Sequence, residues 1–165
     1  MSGRVLVAGI GNVFLGDDGF GVALASRLAC RELPAGVDVV DFGIRGMDLA
    51  YALLEDYAAA VLLDATPRGA PPGTLYLIEP DLELEPAPPE AHGMDPVKVL
   101  ALARALGGTP ARTLVLGCEP LTWMDPDAEE IVAALSEPVI AALDEAERML
   151  VGLLDELIDD EGGRT

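Results

Sequence analysis

Val5-Leu-Val-Ala8, then Gly9-Ile-Gly-Asn-Val-Phe-Leu-Gly-Asp17-Asp18-Gly-Phe-Gly21, then Val22-Ala-Leu-Ala-Ser-Arg-Leu-Ala29: this stretch decides the architecture of the 165-residue chain. The first four residues form an apolar run that reads as a buried strand. The last eight place Val22, Ala25, Leu28 and Ala29 at helical spacing. A glycine-rich turn between strand and helix usually offers free amides to a phosphate. This turn carries two carboxylates, Asp17 and Asp18, where a phosphate needs positive charge.

Outward from that stretch, strands and helices alternate. Strands are predicted at Val5–Ala8, Val37–Phe42, Ala59–Leu63, Thr74–Ile78 and Thr113–Leu116. Helices are predicted at Gly21–Leu33, Met47–Leu54 and Asp95–Leu106, and a long helical region at Asp127–Leu157 is expected to break near Pro138. Pro96 is acceptable in the first turn of its helix. The connection from Ala65 to Gly73 is too short and too proline-rich for a crossover helix, so a hairpin is expected, with the fourth strand antiparallel. Asp81–Ala91 reads as an acidic, proline-rich surface loop. The predicted fold class is α/β: a three-layer α/β/α sandwich around a mostly parallel five-stranded sheet with one antiparallel strand. A single domain is expected over residues 1–158, with a frayed acidic tail at 159–165. In such sheets the ligand crevice lies beyond the carboxyl ends of the strands, at the switch point. With the first strand central, Asp17 and Asp18 come to the same rim as Asp64, the first residue past the third predicted strand.

The formal net charge of −19, with Lys98 the only lysine, argues against binding a nucleic-acid backbone and permits attraction of cations or a basic protein segment. No apolar run is long enough to span a bilayer, and Met-Ser-Gly-Arg leads straight into a strand with no signal-peptide pattern, so a cytoplasmic location and no membrane partner are expected. Cys30 and Cys118 fit no Cys-x-x-Cys motif and are expected as reduced, small core residues.

Several chemistries compete for the opening turn. Gly9-x-Gly11 supplies two glycines of the dinucleotide fingerprint, but Phe14 stands at the third position, and Asp17 and Asp18 would repel a pyrophosphate. Asp41, at the end of the second strand, is the remaining feature in favour of a dinucleotide. One of the adjacent aspartates is expected to cap the helix, which leaves the other unexplained. His92 is the only histidine. With Asp18 and Asp64 it makes a set of two carboxylates and an imidazole suited to a borderline metal such as nickel or zinc. His-Glu-x-x-His and Gly-x-Ser-x-Gly are absent. A Cys118–His92 thiol dyad and a proton-sharing Asp18–Asp64 pair are the other arrangements the residues allow.

Taken together, Gly9-x-Gly-Asn12, Asp17-Asp18-Gly19-x-Gly21, Asp41-x-Gly43-x-x-Gly46-x-x-Leu49, Leu63-Asp64-Ala65, His92-Gly93-Met94 and Gly117-x-Glu119-Pro120 resemble the signature of the nickel–iron hydrogenase maturation endopeptidases. The order and spacing cover most of residues 4–145. The resemblance implies a peptidase that clips a short C-terminal extension from the precursor of a hydrogenase large subunit after nickel insertion. It puts metal contacts at Asp18, Asp64 and His92, with catalysis by a carboxylate or by the metal left open, and substrate recognition at Asp41, Gly43, Arg45 and Gly46. Nickel is expected to arrive with the substrate, and no nucleotide is expected. The chain departs from the family pattern at Ile44, where relatives often carry Thr, and at Glu90-Ala91, where Ser or Thr is common; both bear on substrate preference. The alternatives are a non-catalytic nickel-binding maturation chaperone and a dinucleotide-binding protein.

Overall fold

The computed structural model describes residues 3–80, 96–121 and 134–162, with only the backbone for residues 160–162. Five strands, β1 (Val5–Ile10), β2 (Val37–Gly43), β3 (Ala59–Ala65), β4 (Leu75–Ile78) and β5 (Arg112–Cys118), form one sheet in the order β2-β1-β3-β5-β4. The first three neighbouring pairs are parallel, and β4 runs antiparallel to β5. The α-helices of the described residues are α1 (Phe20–Ala29), α2 (Gly46–Ala52), α3 (Pro96–Leu106) and α4 (Glu137–Gly162).

Alternation along the central strands sets the layers. Val5 and Val7 of β1, with Val61 and Leu63 of β3, face a core built by α1 and α4. Leu6, Ala8 and Ile10, with Ala60 and Leu62, face a second core built by α2 and α3. All residues of β1 and β3 are buried, as expected for parallel strands covered on both sides. The result is the expected three-layer sandwich.

Three outcomes of the sequence reading have physical causes. First, β4 does not pair with β3 in a hairpin. It pairs with β5, whose end is held between the two ends of the 66–73 connection: Thr66 N donates to Cys118 O, Gly73 N to Glu119 O and Glu119 N to Thr74 O. Second, the helical part of the long predicted region starts at Glu137, after non-helical residues 134–136, so the break expected near Pro138 falls just before it. The proline lies in the first turn, where a helix amide has no intrahelical acceptor to lose. The part of the predicted region between Asp127 and residue 133, like the Asp81–Ala91 loop, lies outside the described residues. At the other end α4 continues through Gly162, past the 158 boundary. Third, α1 stops at Ala29 rather than Leu33, which leaves Cys30 exposed at its C-terminal end; only Cys118 is a core cysteine.

The glycines of the opening stretch permit a close approach of helix to sheet. A Cβ on Gly21 would collide with the carbonyls of Leu63 and Ile10, and one on Gly9 would come within 2.7 Å of the Ala25 Cβ. Gly21→Ala is therefore expected to destabilise the protein by about 3 kcal/mol, since backbone atoms of two strands would have to move. Gly152, inside α4, has nothing near its Cβ position. Gly152→Ala is expected to stabilise by roughly 0.5–1 kcal/mol through lower backbone entropy in the unfolded chain. Urea unfolding of both variants, with opposite signs expected, checks this packing.

Candidate active site

After β1 the chain turns sharply at Gly11, where the carbonyl of Asp18 occupies the place a Cβ would take. Asn12 braces this turn: its side chain accepts from Phe14 N (2.9 Å) and its own amide donates to the Asp18 carboxylate (2.7 Å). A 3-10 turn, Asp17–Gly19, leads into α1 and packs against β3. Asp18 is only partly exposed. Burial raises its pKa above the ordinary aspartate value, and the Asn12 amide partly opposes that rise.

Neither aspartate caps a helix, contrary to the expectation from their position. Asp17 is fully buried and turned sideways. It accepts from Leu121 N (2.8 Å), Ser136 N (2.7 Å) and Ser136 Oγ (2.8 Å). It thus ties the turn to the segment after β5 and to the start of α4, and its neighbour is the carboxylate left at the crevice.

Asp64 lies inside β3 rather than past its end, paired with Gly117 of β5. Strand alternation puts it on the face that carries Ala60 and Leu62, beneath α2 and α3. It is 7% exposed. Asp18 and Asp64 therefore reach one rim from the carboxyl ends of adjacent strands. His92 lies outside the described residues, and among those described no three His, Cys, Asp or Glu side chains form a metal-holding group.

The Asp41–Gly46 loop adjoins the same rim. The register of β1 on β2 shifts between Gly9 and Ile10, so Ile10 faces Gly43, and Gly11 N donates to Gly43 O (2.9 Å). Gly43 has φ of 55°, and Asp41 is exposed. Arg45 folds back to donate to Asp41 O (2.6 Å), pairs with Asp48 (3.3 Å) and lies over the Phe42 ring, while Gly46 opens α2. Val13 and Phe14 on one turn, with Ile44 and Met47 by the other, are exposed apolar side chains.

Glu119, in the stretch Gly117-x-Glu119-Pro120, is a structural hub. It is 4% exposed, and one of its oxygens accepts from Arg68 N (2.8 Å), Ala70 N (3.0 Å) and Tyr76 Oη (2.7 Å). Burial alone would raise its pKa; the Tyr76 hydroxyl and the amides of residues 68–70 reverse this and leave it below the usual glutamate value. Nothing in local sequence marks such a hub, because its partners lie 43 to 51 residues away. Cys118 is buried and its thiol is pushed up to about 12, first by burial and then by the charges of Asp17 and Glu119, the wrong direction for a nucleophilic thiolate.

Comparison with known proteins agrees with this geometry. The family model HycI, hydrogenase maturation protease, matches residues 22–153. The hydrogenase expression/formation protein HupD of Rhodobacter capsulatus is 36% identical over 126 residues, covering 74% of this chain and 60% of its own. A Methanocaldococcus jannaschii protein assigned as a hydrogenase maturation protease is 32% identical over 149 residues, 90% of this chain and 94% of its own. Among solved structures, the hydrogenase maturating endopeptidase HybD from E. coli superposes with a TM-score of 0.75 at 26% identity, covering 93% of both chains. The hydrogenase 2 maturation peptidase from a Thaumarchaeota archaeon superposes at 0.70 with 30% identity, covering 92% of this chain and 98% of its own. The strand order, the rim that gathers Asp18 and Asp64, and these matches lead to one conclusion: the chain belongs to the hydrogenase maturation protease family.

Proposed function

We propose that this peptidase removes the C-terminal extension from the precursor of a nickel–iron hydrogenase large subunit, after nickel has been inserted, and that it does so in the cytoplasm. The observation that carries the reading is the delivery of two carboxylates, Asp18 and Asp64, to one rim from adjacent strands of a hydrogenase maturation protease fold. In this reading Asp18, Asp64 and His92 address the nickel that the substrate brings, and oxygen and imidazole donors suit that metal. The metal centre then holds the scissile peptide at the crevice, an effect of orientation. The exposed apolar residues Val13, Phe14, Ile44 and Met47 beside the rim fit a protein substrate better than a small ligand. Asp41, Gly43, Arg45 and Gly46 shape the loop that meets it. Among the described residues no helix is long and apolar enough to cross a membrane.

Engagement of a metal requires a charged Asp18 and a neutral His92. Protonation of Asp18, whose pKa is raised by burial, and of His92 should both weaken cleavage as the pH falls.

Incubating nickel-loaded precursor with the enzyme and following loss of the extension on a gel tests the reading directly. Asp18→Asn, Asp64→Asn and His92→Ala are each expected to slow cleavage by roughly a hundredfold or more. Wild-type rates in these variants, or equal cleavage of nickel-free precursor, would refute the metal role. Binding of the precursor without any shortening would favour a chaperone.

The Asp18→Asn variant carries a second expectation. A raised folded-state pKa means that wild-type stability falls as pH rises from the ordinary aspartate value through the folded one. The amide has no charge to bury, so its thermal midpoint relative to wild type should rise over that window and stay at or above wild type at neutral pH. Thermal melts at several pH values measure this, and a large loss of stability at neutral pH would contradict it.

A further inference from the structure

Arg68 differs from five other arginines of the chain. Arg4, Arg27, Arg31, Arg45 and Arg148 each pair with a carboxylate. Arg68 is exposed, and among the described residues no carboxylate pairs with it, in a chain of 29 acidic and 10 basic residues. Its guanidinium carbon lies 5.8 Å from the centre of the Tyr76 ring. With no carboxylate of the described residues on it, the guanidinium over the Tyr76 ring keeps its donors available to a foreign anion.

The platform beneath it is fixed. A single Glu119 oxygen receives the backbone amide of Arg68 and the hydroxyl of Tyr76, so the turn and the ring under the guanidinium are tied to one buried point. Ordering this turn is therefore a cost met during folding, not during binding. An arginine held over an aromatic ring presents its fork of donors in a geometry suited to a carboxylate.

The register relates this platform to the crevice. Asp64, Gly117 and Tyr76 form one row across β3, β5 and β4. Directly paired residues share a sheet face, and strands lie about 4.8 Å apart, so Tyr76 sits about 10 Å along the row from Asp64. An extended peptide advances about 3.3 Å per residue, which makes that gap about three residues.

We propose that Arg68, backed by Tyr76 and Glu119, is a specificity subsite that binds a carboxylate of the substrate about three residues from the peptide bond held at Asp64. The inference rests on the endopeptidase reading above. The carboxylate is either an acidic side chain in the extension or the free carboxylate at its end.

The test compares wild type, Arg68→Lys and Arg68→Gln on three nickel-loaded precursors. One has the native extension. One has the acidic side chains of the extension replaced by their amides. One has the extension lengthened by several neutral residues, which moves the terminal carboxylate away. On native precursor Arg68→Gln should raise KM about tenfold with kcat little changed, and Arg68→Lys should lie between. On one altered precursor the difference between wild type and Arg68→Gln should vanish, which names the source of the carboxylate. Thermal midpoints should not differ, because the side chain is exposed. A wild-type KM in Arg68→Gln, or an equal loss on all three precursors, would overturn the subsite while leaving the endopeptidase reading intact. Failure of the wild type to cleave any precursor would overturn that reading and the subsite with it.

Discussion

The molecule depends on how closely α1 can lie against the sheet. Gly21 touches the carbonyls of Leu63 and Ile10, and Gly9 faces Ala25, so helix and strands meet at backbone distance. This contact joins β1 to β3 through the helix that follows the carboxylate turn. It puts the turn against β3 and, with it, Asp18 on the same rim as Asp64. The glycines that look like a phosphate fingerprint therefore serve packing, and of the two charges among them Asp17 is held by Leu121 and Ser136 while Asp18 stays partly exposed. The same spacing supports either reading until the side chains beside it are counted.

Besides Asp64, three buried or half-buried carboxylates share this end of the sheet, and their surroundings separate their tasks. Asp17 is fully enclosed and saturated by donors from two distant segments, so it is a strut. Glu119 is likewise enclosed and gathers the 68–70 turn and Tyr76. Asp18 has one short bond from Asn12, partial exposure and a raised pKa. A carboxylate kept partly short of solvent and partners retains capacity for a ligand, whereas a saturated one has spent it on the fold.

The central strands and the rim were legible in the sequence because they follow from local pattern. Continuous apolar runs mark β1 and β3, and the rule that ligands gather beyond strand ends brings Asp18 and Asp64 together. What stayed hidden depends on partners far along the chain. The 65–73 connection fixed the direction of β4, but its length says nothing about β5 being held between its ends. Asp64 looked like a loop residue because it is charged, yet its pairing with Gly117 keeps it in the strand. The capping expectation for the two aspartates failed because donors from Leu121 and Ser136 claim Asp17. Cys30 was expected inside because free cysteines are usually buried, but it sits exposed where α1 ends.

The grip of Asp17 also bears on when the enzyme becomes an enzyme. Its partners are 104 and 119 residues away in sequence. Closing loops of that length costs chain entropy that only a completed core can offset. During synthesis the N-terminal half emerges with the carboxylate turn already translated but without the atoms that fasten it. The crevice is finished only when β5 and the head of α4 arrive, so a nascent or half-folded chain carries the sequence of the site without its shape.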